Sequence, residues 1–126
     1  MEKEIEINGI KYVPASTIKV SMAPAPKLAG KEYCIVRTYS AGVFAGYINR
    51  KTASKEATVY EARRIWYWAG ANSLSQLANE GTKKPNDCKF AQKLREVDLK
   101  EIIEVIPCTE LAKKNIEAVP EWKLTQ

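Results

Sequence analysis

Histidine is missing altogether from this 126-residue chain. That absence removes the imidazole that ordinarily serves as a general base near neutral pH, and with it every Ser-His or Cys-His nucleophile pair. It also leaves the common mixed Cys/His zinc sites without half of their ligands. Cysteine is scarce: Cys34, Cys88 and Cys108 are odd in number, far apart, and include no Cys-x-x-Cys pair. They read as buried or idle thiols of a reducing compartment, not as the disulfide frame of a secreted domain. No apolar run approaches the roughly 20 residues needed to span a bilayer. The first six residues mix both charges and lack the apolar centre of a signal peptide. The expectations from these absences are no metal, no cofactor, no membrane and a cytoplasmic location.

Phosphate-binding loops are missing too. Gly42 and Gly46 do not make Gly-x-Gly-x-x-Gly, and Gly81-Thr82-Lys83-Lys84 lacks the first half of a Walker loop. Asp98, Glu101 and Glu104 are candidates to pair as acid and base, but in one alternating segment they read more simply as solvent-facing strand and loop residues. The chain is therefore expected to bind something without converting it.

What is present is the material of one ordinary globular domain, with 45% hydrophobic and 28% charged residues. The net charge of +5 favours anionic partners, although the lysines are scattered as on a solvated surface. Residues 1–30 read as an N-terminal arm. Ile5 to Val13 alternates around Asn8-Gly9, the signature of a hairpin with a type I′ turn, and Pro14 to Gly30 has the texture of an extended linker.

From Lys31 to Gln126 the pattern is that of a single α+β domain. Tyr33 to Thr38 and Val43 to Ile48 flank Tyr39-Ser40-Ala41-Gly42 and read as two antiparallel strands. Thr58-Val59-Tyr60 and Ile65 to Trp68 read as strand segments bent at residues 61–64, with one helix over 60–68 as the alternative. Ser73 and Gln76 form a capping box and Gly81 supplies the stop, which predicts a short helix between them. Residues 81–93 read as loop. Ile102 to Ile106 is apolar on both sides apart from Glu104 and predicts a largely buried strand closed by Pro107. Thr109 is placed to cap a last helix with Leu111, Ala112, Ile116 and Val119 on one face, ended by Pro120. The expected fold is α+β: a small antiparallel sheet with two short helices and an N-terminal β-hairpin arm.

The candidate site is the segment from Ala62 to Ser73. Arg63 and Arg64 supply guanidinium forks for phosphate, Trp66 or Trp68 a flat face for a base, and Asn72 and Ser73 a helix start that favours anions. The competing reading is that these rings fill a core or an oligomer interface. In a strand, Trp66 and Trp68 share one face and Ile65 and Tyr67 the other. Arg37, Tyr39 and Phe44, around the first turn, are secondary candidates.

Four segments carry a resemblance: Arg37-Thr38-Tyr39-Ser40-Ala41-Gly42-Val43-Phe44-Ala45-Gly46, Ala62-Arg63-Arg64-Ile65-Trp66-Tyr67-Trp68, Ser73-Leu74-Ser75-Gln76-Leu77, and Glu104-Val105-Ile106-Pro107-Cys108. In this order they resemble the motifs of a family of small phage and prophage proteins of unassigned function, over residues 32–119 and not over the arm. Small phage proteins of this size include anti-defence sponges that sequester the signals of Thoeris and CBASS immunity in pockets between subunits. By that analogy the resemblance implies a homo-oligomer in the host cytoplasm that sequesters a small anionic nucleotide, a cyclic ADP-ribose isomer or cyclic oligonucleotide, without cleaving it. A nucleic-acid-binding accessory factor, or an inhibitor that occludes a host protein with its hairpin arm, is the alternative.

Overall fold

The computed structural model describes residues 6–7, 10–11, 23–51 and 54–123. Two short strands come first, β1 (Glu6–Ile7) and β2 (Ile10–Lys11), paired antiparallel with Ile7 opposite Ile10. That register leaves Asn8-Gly9 between the strands, as the hairpin pattern requires; the turn itself lies outside the described residues. So does most of the expected linker. Its last part runs beside the domain: Ala25 donates its N–H to the carbonyl of Cys108, and Ala23 accepts from the N–H of Glu110.

The domain follows as β3 (Glu32–Thr38), β4 (Val43–Ile48), β5 (Ala57–Tyr67), α1 (Leu74–Glu80), β6 (Lys89–Phe90), β7 (Leu94–Leu99), β8 (Ile102–Pro107) and α2 (Glu110–Ala118). It is an α+β fold in which six antiparallel strands carry two helices. The order across the sheet is β6-β5-β4-β3-β8, and β7 pairs with the other half of β5. β7 and β8 thus sit on opposite edges, yet only Lys100 and Glu101 join them. Three Cα steps reach about 11 Å, whereas four strand spacings in a flat sheet span about 19 Å. The sheet must curl, and the start of β8 reaches the segment before β5, where Ile102 donates to the carbonyl of Lys55 at 2.8 Å.

Curling gives the sheet two buried faces. Cys34, Val36, Phe44, Ile48, Val59, Ala62, Leu99 and Ile102 pack together as a cluster built from strands alone, the inside of the curl. Tyr33, Ile35, Ala45, Tyr47, Ile65 and Phe90 point the other way and are covered by Leu77 and Ala78 of α1 and Ala112 and Ile116 of α2. Consecutive strand residues alternate between the faces, so β3 is apolar at 33, 34, 35 and 36 alike. Each fully buried large apolar side chain contributes about 1.5–3 kcal/mol.

β5 is one continuous strand of 11 residues, which decides against a helix over 60–68. The expected bend is real and has a local cause. The register shifts between Ala45 and Tyr47, and Glu61 takes φ of 51°, a bulge on β5 facing Gly46. A Cβ at Gly46 would lie 2.6 Å from Val59 Cγ1 and 2.7 Å from the Tyr60 carbonyl oxygen. Gly46→Ala is therefore expected to cost about 1–3 kcal/mol, seen as a lower thermal midpoint by circular dichroism; an unchanged midpoint would show that the bulge relaxes freely.

Both helices start as their caps dictate. Ser73 Oγ accepts the Gln76 N–H at 3.1 Å, Gln76 Oε1 reaches back to the Asn72 N–H at 2.7 Å, and Gly81, at φ of 78°, closes on the Leu77 carbonyl. Thr109 Oγ1 caps α2 by accepting from Ala112 at 3.0 Å and donates to the Asn79 carbonyl at 2.7 Å, so one hydroxyl starts α2 and satisfies the end of α1.

Three sequence expectations need correction. Residues 81–93 are not all loop: they hold a 3-10 turn (Pro85–Asp87) and β6, whose Phe90 is fully buried. Ile102 to Ile106 is not largely buried, because β8 is an edge strand, and Ile103 is 51% exposed. Leu111 is exposed, while Ala112, Ile116 and Val119, spaced by four and three, form the buried face of α2. β7 has no counterpart among the sequence expectations. No described helix is long and apolar enough to cross a membrane.

Burial also sets the chemistry of the thiols. It pushes Cys34 and Cys108 up to about 12 from the ordinary 9.0, and raises the buried Tyr33 phenol in the same direction. The unfolded chain releases the thiol protons near their ordinary value while the fold retains them. Their contribution to stability is thus complete below about pH 8 and is lost as the pH climbs toward about 12, with a limiting slope of about 1.4 kcal/mol per pH unit for each thiol. Melting at about pH 7 and about pH 10 tests this; equal midpoints would contradict it.

Candidate functional site

The end of β5 separates the two arginines that the sequence sets side by side. Arg64 is the cross-strand partner of Phe44 and Arg63 of Ala45, so they leave the strand on opposite faces. Arg63 goes to the helix side and is buried, at 4% exposure. Its Nε donates to the Ala91 carbonyl at 3.1 Å and its Nη1 to the carbonyls of Ile116 and Val119 at 3.1 and 2.7 Å. Burial lowers its pKa, with Tyr33 and Glu121 acting the other way, but a guanidinium stays charged. Arg63 is therefore corrected from phosphate ligand to structural residue: it holds the end of α2 against β5 and the 91 loop.

Arg64 is the available cation. Its guanidinium lies 4.6 Å from the Phe44 ring centroid, an arrangement that holds the fork in place. Among the described residues no carboxylate pairs with it. It lines an open cleft of about 480 Å³ between the β3–β4 turn, residues 40–43, and the end of β5, where Trp66 and Trp68 complete the wall. Trp66 is 56% exposed and meets Trp122 edge to face, with ring centroids 5.3 Å apart. Trp68 is half-buried and packs on the helix-side core, so only part of it lines the cleft.

The other candidates divide. Phe44 is fully buried and reaches a ligand only through the arginine lying on it. Tyr39 is 77% exposed at the tip of the same turn, its N–H held by the Glu101 carbonyl at 2.9 Å. Arg37 is half-exposed and already paired with Glu104 at 2.9 Å, on the β8 side. Asn72 and Ser73 start α1, where Gln76 takes the Asn72 N–H and Ser73 takes that of Gln76, and neither lines the cleft. Missed by sequence reasoning were Trp122, anchored by its N–H on the Phe90 carbonyl at 2.9 Å, and Lys89, whose ammonium lies 5.2 Å from the Trp122 centroid. The only sequence signal was a tryptophan beside a lysine past Pro120.

Chemically the arrangement offers one preorganised guanidinium and one exposed indole in a common cleft, which suits an anion carrying a flat ring. Asp98 and Glu104, weighed as an acid and base, are engaged elsewhere, with Thr58 at 2.6 Å and with Arg37.

Fold and cleft together define a small α+β domain, a curled antiparallel sheet backed by two helices, with a basic aromatic groove at one end of its longest strand. The chain belongs to the family described as Domain of unknown function (DUF6948), whose model matches residues 31–116. No curated protein and no solved structure gives a significant match. The matched span includes Arg64, Trp66 and the turn at 40–43 but not Trp122.

Proposed function

We propose that this DUF6948 domain binds an anionic nucleotide and holds it intact, with the base on Trp66 and a phosphate at Arg64. The observation that carries this reading is the pairing, in one open cleft, of an exposed indole with a guanidinium that has a ring beneath it and no carboxylate partner among the described residues. Stacking on one ring supplies about 1–3 kcal/mol and a charge-assisted bond to phosphate about 1.5–3 kcal/mol. No catalytic step is assigned, since the chain has no histidine and its three cysteines are buried.

In the phage setting that the motifs suggest, such binding would serve to sequester an immune signal, a cyclic ADP-ribose isomer or cyclic oligonucleotide, in the host cytoplasm. The cleft is open, whereas small-molecule sites bury about 70–90% of their ligand. A second copy of the chain is therefore part of the proposal, closing the groove in a homo-oligomer. The test is to incubate the purified protein with a pool of cyclic dinucleotides, cyclic trinucleotides and cyclic ADP-ribose isomers, wash, denature, and identify what is released by mass spectrometry. An intact nucleotide supports the reading; a cleaved one replaces it with an enzyme; an empty protein overturns it in favour of nucleic acid or a host protein.

A further inference from the structure

Trp66 does not stand alone. Its ring touches that of Trp122, and the two residues open onto different clefts: Trp66 onto the one that holds Arg64, of about 480 Å³, and Trp122 onto a second, of about 310 Å³, with Asn86 and Lys123. The planes of the two rings meet at 67°, so their faces look in different directions. Cations accompany both clefts, with Arg64 in the first, Lys89 at the Trp122 ring and Lys123 in the second, where Glu121 is the one carboxylate among the described residues. Neither Arg64 nor Lys89 has a carboxylate partner among the described residues.

We infer that the ligand carries two nucleobases joined through phosphate, one base on each side of the Trp66–Trp122 ridge. The inference rests on the nucleotide reading of the first cleft and sharpens it, because it selects ligands with two linked bases over those with one. Rings set at 67° accept two bases only if these are splayed, as bases of an unstacked strand or ring are. The phosphate between them then passes the ridge, where Lys89 stands on a flexible stem and can leave the indole for an anion. A single nucleotide in the first cleft leaves Trp122, Lys89 and Lys123 without a role.

The test is equilibrium binding of the full chain to four probes: adenosine monophosphate, a linear diadenylate, a cyclic diadenylate and a ten-residue single strand of deoxyadenylate. The two-base probes are expected to bind at least about tenfold more tightly than the monophosphate, the size of a second stacking contact. Trp122→Ala is expected to remove that advantage and leave monophosphate binding unchanged. Lys89→Gln, at an exposed position, is expected to weaken only the two-base probes by about threefold to tenfold, and serves as the control if Trp122→Ala disturbs the fold. Equal affinity for monophosphate and two-base probes, or equal losses for both in Lys89→Gln, overturns the inference while leaving the nucleotide reading in place. If none of the four binds, the inference is overturned, and release from the wider nucleotide pool decides the reading beneath it. Preference for the cyclic diadenylate identifies a signal as the source of the two bases, and preference for the ten-residue strand identifies single-stranded nucleic acid; either outcome supports the inference.

Discussion

Arg63→Ala is expected to destabilise the domain by about 3–5 kcal/mol, a large part of the 5–15 kcal/mol that holds a domain of this size together. The guanidinium is buried and donates to three carbonyls, that of Ala91 between β6 and β7 and those of Ile116 and Val119 at the end of α2. Removing it leaves the buried Val119 carbonyl without this donor, at about 1–3 kcal/mol before any relaxation, leaves the Ile116 carbonyl with only the Val119 N–H, and opens a gap beside Phe90, whose ring centroid lies 5.3 Å from the guanidinium carbon. Arg63→Lys is expected to recover little, because one ammonium on a flexible stem cannot reproduce the planar fork. Urea denaturation followed by circular dichroism checks both variants, and a midpoint for Arg63→Ala within error of the parent would rule out a structural role for Arg63.

Arg64→Ala and Trp66→Ala are expected to do the reverse, leaving the fold nearly unchanged and removing binding. Arg64 gives up only a cation–π contact of about 0.5–1 kcal/mol, and Trp66 an edge-to-face contact at an exposed position. Against a nucleotide, Arg64→Ala forfeits about 1.5–3 kcal/mol and Trp66→Ala about 1–3 kcal/mol, so each lowers affinity by roughly 5- to 150-fold and the pair abolishes measurable binding. The two adjacent arginines thus make an internal control: one variant destabilises the domain, the other weakens binding at the groove. Calorimetric titration beside a melting curve separates them, and a loss of stability in Arg64→Ala as large as that in Arg63→Ala would mean that the cleft is part of the core. If binding is also followed against salt, three phosphate contacts with a single strand predict a slope of about −2 in log affinity against log salt, and a small ligand a shallower one.

Much of the architecture was legible because local chemistry speaks for itself. Ser73 with Gln76, Thr109 ahead of an apolar stripe, and the β-branched runs around Gly42 each announce an element whatever lies around it. The strands at 89–90 and 94–99 carry no such local signal. Lys89–Phe90 is two residues long, and Leu94–Leu99 is mostly exposed and polar, so pairing with β5, distant in sequence, is what makes either a strand. The exposure of Ile103 was illegible for a similar reason, since an apolar run does not say whether its strand lies at the centre or the edge of a sheet.

By itself, the sequence determined the fold class, the starts of both helices, the lack of imidazole chemistry, and the presence of a guanidinium and an indole within a few residues of each other. Its pattern reads as a bend over residues 61–64 and so left the directions of Arg63 and Arg64 open. It could not say which of them meets solvent, because that inference needs one wet face, and this sheet curls until both faces are buried. Only the tertiary structure decided it, by laying α2 over Arg63, setting Arg64 against Phe44 at the mouth of a cleft, and bringing Trp122 to Trp66 from 56 residues away in the chain.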